Sequence, residues 1–270
     1  MRLASRLPPD PYDDAETLSW YARALEALHA ARVPFLIGGA YALKHHTGIV
    51  RDTKDLDIFL RQGDLDRALA TLAGQGFRTE IPFPHWLAKA HAGDRFIDII
   101  YNSGNGMTPV DLAWFEHAES ATLLDVPVAI CPAEETVWSK AFVMERERYD
   151  GADVSHILLG RRASLDGRRL IDRFGSNYRV LLAHLVLFGF AFPREARDVP
   201  AWVMRELYDR TLAEPTDASE PPVCRGTIIS REQYLIDTHE RGYRDGRLPP
   251  TGSMTPEQVE AWTEAIGAPH

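Results

Sequence analysis

Residues 36–60 read Leu-Ile-Gly-Gly-Ala-Tyr-Ala-Leu-Lys-His-His-Thr-Gly-Ile-Val-Arg-Asp-Thr-Lys-Asp-Leu-Asp-Ile-Phe-Leu. The stretch continues the apolar run Val33-Pro34-Phe35, and the whole predicts a buried strand, a paired glycine, a short helix over 40–46, a basic connection over 49–54 and a second strand over 55–60. In that second strand Asp55 and Asp57 flank Leu56. Alternate side chains of a strand share a face, with backbones about 6.6 Å apart, so the two carboxylates can converge on one or two hard cations while Leu56, Ile58 and Leu60 enter a core. Phosphoryl and nucleotidyl transfer need such a pair, because Mg²⁺ takes few protein oxygens and completes its shell with substrate phosphates. The plainer alternative is two solvated acids at a strand edge. Gly38 and Gly39 stand at the strand-to-helix turn, where missing side chains let backbone N–H groups approach phosphate oxygens at a helix N-terminus. A tight turn without a ligand would use the same residues.

The rest of the chain bounds this reading. Its 270 residues fit one large domain or two small ones, and 45% hydrophobic with 26% charged residues is ordinary for a globular protein. The formal charge of −9 argues against a dedicated duplex-DNA binder, whose affinity comes from many basic contacts to phosphate. Two cysteines far apart, Cys131 and Cys224, make a disulfide framework an unlikely basis for the fold and a reducing cytoplasm the simplest setting. No secretory leader and no membrane-spanning run are expected. Neither a dinucleotide-binding Gly-x-Gly-x-x-Gly after a strand nor a P-loop is present.

Taken in order, residues 1–14 read as a tail, and a helix is expected over 15–31 with Leu18, Tyr21, Ala22, Leu25 and Leu28 on one face. Leu65, Leu69 and Leu72 mark another helix, stopped by Gly74 and Gly76. Strands are expected over 77–81, 94–101 and 126–130, with loops at 82–84 and 104–106. These make an α+β domain with a mixed sheet over 15–132. From Ala133 the pattern turns helical: Val137, Trp138, Ala141 and Phe142 share a face, and helices follow over 153–159, 168–174, 177–189 and 202–212. The expected division is a helical domain over 133–213, then a linker and C-terminal extension over 214–270 ending in a helix after Pro256.

Asp98 lies in Arg-Phe-Ile-Asp-Ile-Ile-Tyr, where a buried unpaired acid would be costly; a metal or an arginine, Arg95 or Arg51, would offset that cost. Arg51 and Lys54 precede the carboxylates and are candidate triphosphate ligands, or else a solvated basic turn. His45, His46, His85 and His91 match no zinc spacing and read as surface or loop residues. Arg161, Arg162, Arg168, Arg169, Arg173 and Arg179 read as a solvated helical face, with RNA or a phosphate-bearing acceptor as the alternative. Ser230-Arg231-Glu232-Gln233-Tyr234 has no evident role.

Gly-Gly, one helix, then Arg-x-Thr-Lys-Asp-Leu-Asp-Ile resembles the nucleotidyltransferases of the DNA polymerase β superfamily, in the bacterial branch of small-molecule and toxin-type enzymes. The resemblance covers roughly the first half of the chain, with an extension near 140–153. It implies a polymerase-β-like core followed by a mainly helical domain, with nucleotide and acceptor in the cleft between. Asp55 and Asp57 would bind two Mg²⁺ ions, Mn²⁺ being the alternative, and Asp98 would hold the ion nearer the acceptor. Gly38, Gly39, Arg51 and Lys54 would hold the triphosphate, usually of ATP in such enzymes. The segment Lys140 to Asp153 resembles toxin-type members, with a helical Lys, then Arg, then two acids three residues apart; Tyr149 departs from the usual Lys. There Lys140 would contact phosphates and Asp153 would support the site. Without that role, Lys140 would cover an exposed helix side and Asp153 would cap the next helix. The implied activity is transfer of a nucleoside monophosphate from a nucleoside triphosphate to a hydroxyl of an acceptor that the sequence does not name. The alternatives are a toxin-type enzyme acting on tRNA or protein, and a degenerate module that binds nucleotide without turnover.

Overall fold

Leu56, Ile58 and Leu60 alternate with Asp55, Asp57 and Phe59, and that alternation gives an apolar side and an acid-bearing side to part of a mixed eight-stranded sheet. The computed structural model describes residues 5–8, 14–51, 53, 55–93, 95–215 and 220–266. Its strands in chain order are β1 (Ser5–Leu7), β2 (Leu36–Ile37), β3 (Leu56–Phe59), β4 (Arg78–Phe83), β5 (Leu87–Ala92), β6 (Arg95–Ile100), β7 (Glu119–Leu123) and β8 (Val126–Ile130). They lie in the order β1-β7-β8-β2-β3-β6-β5-β4. β1 with β7, β8 with β2 and β3 with β6 run parallel, and the remaining neighbours run antiparallel.

Four helices belong with this sheet: α1 (Ala15–Ala30), α2 (Gly39–Thr47), α3 (Leu65–Gly74) and α4 (Leu112–Glu116). Asp14 starts α1 by accepting from the Thr17 N–H at 2.6 Å. Arg95 shares the side of β6 that carries Ile97 and Ile99, and it reaches Glu16 of α1 at 3.1 Å. The helix therefore covers the apolar side, where Leu25, Leu28, Leu56, Ile58 and Ile99 are fully buried. Helix α2 packs on β3 and begins at the acid-bearing side.

Several elements differ from expectation: α4 and β7 fall where none was assigned, and β4 runs through residues 82–83, expected as a loop. Residues 5–7, within the stretch read as a tail, form β1 on β7. Residues 87–92, to which no element was assigned, form β5 between β4 and β6. Leu-Ala-Lys-Ala-His-Ala has little intrinsic strand preference; its hydrogen-bonded neighbours on both sides decide its conformation.

By its internal packing the chain divides into two compact units, residues 1–104 with 108–132, and residues 105–107 with 133–270. The first is α+β. The second is mainly helical: α5 (Ala133–Ala141), α6 (Gly151–Arg161), α7 (Gly167–Phe174), α8 (Tyr178–Ala191) and α9 (Ala201–Ala213) enclose Val137, Ile157, Ile171, Leu181 and Phe188. Then come β9 (Val223–Cys224), α10 (Gly226–Ile229), α11 (Leu235–His239), β10 (Arg244–Asp245), which pairs with β9, and α12 (Pro256–Glu264), started by a Thr255/Gln258 capping box. Among the described residues no helix is long and apolar enough to cross a membrane.

Candidate active site

Strand register brings the first-unit acids together. Asp57 of β3 lies opposite Asp98 of β6, and Asp55 is two residues back on the same side. One carboxylate oxygen from each of the three lies within 4.8 Å of the others. Thr53 fixes Asp55, its hydroxyl donating to Oδ1 at 2.9 Å and to the Asp55 carbonyl at 3.1 Å. The glycine corner is fitted to these residues. A Cβ on Gly38 would stand 2.1 Å from the Phe59 ring, and one on Gly39 would stand 1.6 Å from Asp57 Oδ2. Gly39 also has φ +50°, a conformation side chains resist. The Gly38 N–H donates to the Asp57 carbonyl at 3.0 Å, so it serves the sheet. Ala42 N–H to Gly38 O is the first bond of α2, which leaves the Gly39 and Ala40 amides ahead of the helical ladder.

Asp98 is 9% exposed, and its partner is Lys89 on β5, directly opposite in register, with Nζ 2.9 Å from Oδ1. The contact is a close, buried ion pair. Arg95, one of the two arginines offered as an alternative to a metal, turns to the other side of β6 and pairs with Glu16. Burial pushes the Asp98 carboxyl above its usual range, Lys89 pulls it down, and the charge of Asp55 adds to the rise. Lys89 also lies over the Phe96 ring, 4.0 Å from its centroid. Three clustered carboxylates are hard oxygen donors, and this set fits Mg²⁺ or Mn²⁺. Any side chain at position 39 would take the place of Asp57 Oδ2, so the glycine is what admits that donor.

A second charged cluster lies within the helical unit. Lys140 Nζ of α5 is 2.9 Å from Asp150 Oδ2 and 2.8 Å from Asp153 Oδ2, and Arg148 Nε is 3.0 Å from Asp150 Oδ1. Burial acts to raise the Asp150 carboxyl, but Lys140 and Arg148 outweigh it and hold it below the usual range. Asp153 sits inside α6 instead of capping it, and Lys140 is largely buried instead of covering an exposed side. Ser230 and Arg231 support the loop before α6. The Ser230 hydroxyl donates to Glu145 Oε2 at 3.0 Å, the Arg231 N–H bonds the same carboxylate, and the Arg231 guanidinium lies over Trp262.

No protein-family model and no curated protein matches the chain. Among solved structures it is similar to the antibiotic-resistance factor ANT(2″)-Ia in solution, at 18% identity over 64% of this chain and 98% of that one, with a TM-score of 0.43. It is similar also to the lincosamide antibiotic adenylyltransferase LnuA with lincomycin bound, at 14% identity over 53% and 96% of the two chains, TM-score 0.38. A third is an antigenic nucleotidyltransferase-like protein from Paracoccidioides brasiliensis, at 14% identity over 68% and 91%, TM-score 0.44. These are likenesses of backbone path and assign no residue a role.

Other sequence candidates fall in different places. Arg51 is exposed in the connection before β3, and Lys54 lies outside the described residues. The histidines are not simple surface residues. His46 is buried with Nε2 2.8 Å from the Cys131 carbonyl, and His45 is 2.9 Å from Glu119 Oε2. His85 is buried with Nε2 3.0 Å from the Gly104 carbonyl, and burial holds its pKa down. His91 pairs with Glu80 across β5 and β4. The arginines of 168–179 are committed to acids: Arg169 to Glu134 and Glu135, Arg173 to Glu135, Arg168 to Glu206 and Arg179 to Glu214. Lys89 escaped the sequence reading. The signal for it was the period-two alternation of Ala88, Ala90 and Ala92 with Lys89 and His91, which gives a strand one small apolar side and one cationic side.

Proposed function

We propose that the chain is a metal-dependent nucleotidyltransferase that moves a nucleoside monophosphate from a nucleoside triphosphate to an acceptor hydroxyl and releases pyrophosphate. The observation that carries this is the meeting of Asp55, Asp57 and Asp98, from two adjacent parallel strands, beside the glycine corner that opens α2. The motif resemblance over residues 38–58 supports it. Asp55 and Asp57 would hold Mg²⁺ for the triphosphate, and Asp98 would serve the acceptor. A divalent ion bound there neutralises charge building on the α-phosphate and pyrophosphate and lowers the pKa of the acceptor hydroxyl. The Gly39 and Ala40 amides, with Arg51 and Lys54, orient the phosphates. Lys140 and Asp153 are proposed as further nucleotide-binding residues of the helical unit.

The Lys140–Asp150–Asp153 cluster favours a second reading in which the acceptor is a macromolecule, tRNA or protein, since that spacing resembles toxin-type members. Both readings are tested by incubating the chain with each α-labelled nucleoside triphosphate, Mg²⁺ and cell extract. Label is expected on an acceptor together with pyrophosphate release, and Asp57→Ala is expected to abolish both while circular dichroism stays native. Label on a small molecule selects the first reading, and label on tRNA or protein the second. Full turnover by Asp57→Ala removes the mechanism. Nucleotide binding without pyrophosphate release would mark a degenerate module.

A further inference from the structure

Lys89 is a cation built into the acid cluster. It is 8% exposed, a rare state for an ammonium unless it is paired. Three observations fix where it points. Its residue lies opposite Asp98 in the β5–β6 register, its Nζ is 2.9 Å from Asp98 Oδ1, and the Phe96 ring lies beneath it with its centroid at 4.0 Å. Glu80, its register partner on β4, is engaged by His91 at 3.0 Å and Arg78 at 3.1 Å. Asp98 is therefore the carboxylate that Lys89 serves. A divalent ion on Asp98 Oδ1 would be pressed against an ammonium already in contact with that oxygen.

We propose that Lys89 is a resident second cation, its ammonium taking the acceptor-side position at Asp98, so that the cluster takes up one divalent ion rather than two. The inference rests on the reading of Asp55, Asp57 and Asp98 as a metal site. Asp55 and Asp57 hold the one exchangeable ion. Lys89 keeps Asp98 oriented and supplies the positive charge that would otherwise come from a second ion.

The test is Mn²⁺ uptake by the intact chain without nucleotide, followed by electron paramagnetic resonance. The wild type is expected to bind one equivalent, and Asp57→Asn is expected to lose it. Lys89→Met is expected to gain a second equivalent, and Lys89→Arg, which keeps the charge, to remain at one. Should Lys89→Met fail to fold, Asp98→Asn decides: the count stays at one if Asp98 serves Lys89, and falls from two to one if Asp98 holds its own ion. Two equivalents in the wild type, or a folded Lys89→Met identical to it in count and affinity, overturns the proposal and leaves the metal site standing. No Mn²⁺ in the wild type, or uptake indifferent to Asp57→Asn, removes the metal site and this inference with it.

Discussion

Gly39 and Gly48 both have a positive φ, +50° and +75°, but differ in what surrounds them. A Cβ at Gly48 meets nothing within 4 Å, whereas one at Gly39 would collide with Asp57 Oδ2 at 1.6 Å. Replacement of either by alanine costs conformational energy of about 1–2 kcal/mol, but replacement of Gly39 must also displace a carboxylate of the cluster. Gly39→Ala is thus expected to lose about 100-fold in turnover, the scale of a displacement near 1 Å, while Gly48→Ala loses stability alone. Pyrophosphate release and thermal melts on both variants check this, and equal turnover in the two would sever the glycine corner from the chemistry. At this scale the gathering of acids beside the glycines was largely legible: Gly38, Gly39, Asp55 and Asp57 lie within twenty residues of one another, and Asp98 stood out as an acid among isoleucines. Lys89 was not, because its partner is set by strand pairing and not by proximity in sequence.

Among the elements, α5 shows what a sequence reading of charge misses. Glu134 and Glu135 are adjacent on it, and Arg169 and Arg173 are one turn apart on α7. Glu135 has a fully buried side chain that meets Arg173 Nε at 2.9 Å and an Arg169 nitrogen at 3.2 Å. Glu134 also accepts from the Asp166 N–H at 2.7 Å, and Arg173 lies over Trp138. The helices themselves were legible from their apolar periodicity. Their arginines read as a solvated face because nothing in one helix announces the acids of another. Glu135→Ala removes the fully buried carboxylate that Arg173 and Arg169 share, Arg169 keeping Glu134, so it is expected to lower unfolding free energy by about 3–5 kcal/mol. Urea denaturation measures it, and a loss below about 1 kcal/mol would show the network to be as weak as a surface pair.

For the whole molecule, the acid limb of stability follows from carboxylates held in ionised form. Asp150 and Asp245 both titrate below the ordinary 3.8; burial opposes this, Lys140 and Arg148 overcome it for the first, and Arg247 for the second. A carboxyl lowered in the folded state contributes stability above its unfolded pKa, and that contribution disappears as pH falls through the folded value. Urea midpoints should therefore drop between about pH 5 and pH 3. Asp150→Asn should start lower near neutrality and fall less steeply, and an unchanged slope would show that Asp150 carries none of the effect. The bend between β5 and β6 has a further consequence. Ala92 pairs with Arg95, so Lys89 and Asp98 stand equally far back from the bend. One residue added there would invert the sides of β5 relative to β6, sending the ammonium in among isoleucines and presenting a methyl group to the acids. Hairpin length, rather than any replacement near the carboxylates, is thus the simplest change by which a descendant of this chain would come to depend wholly on ions from solution.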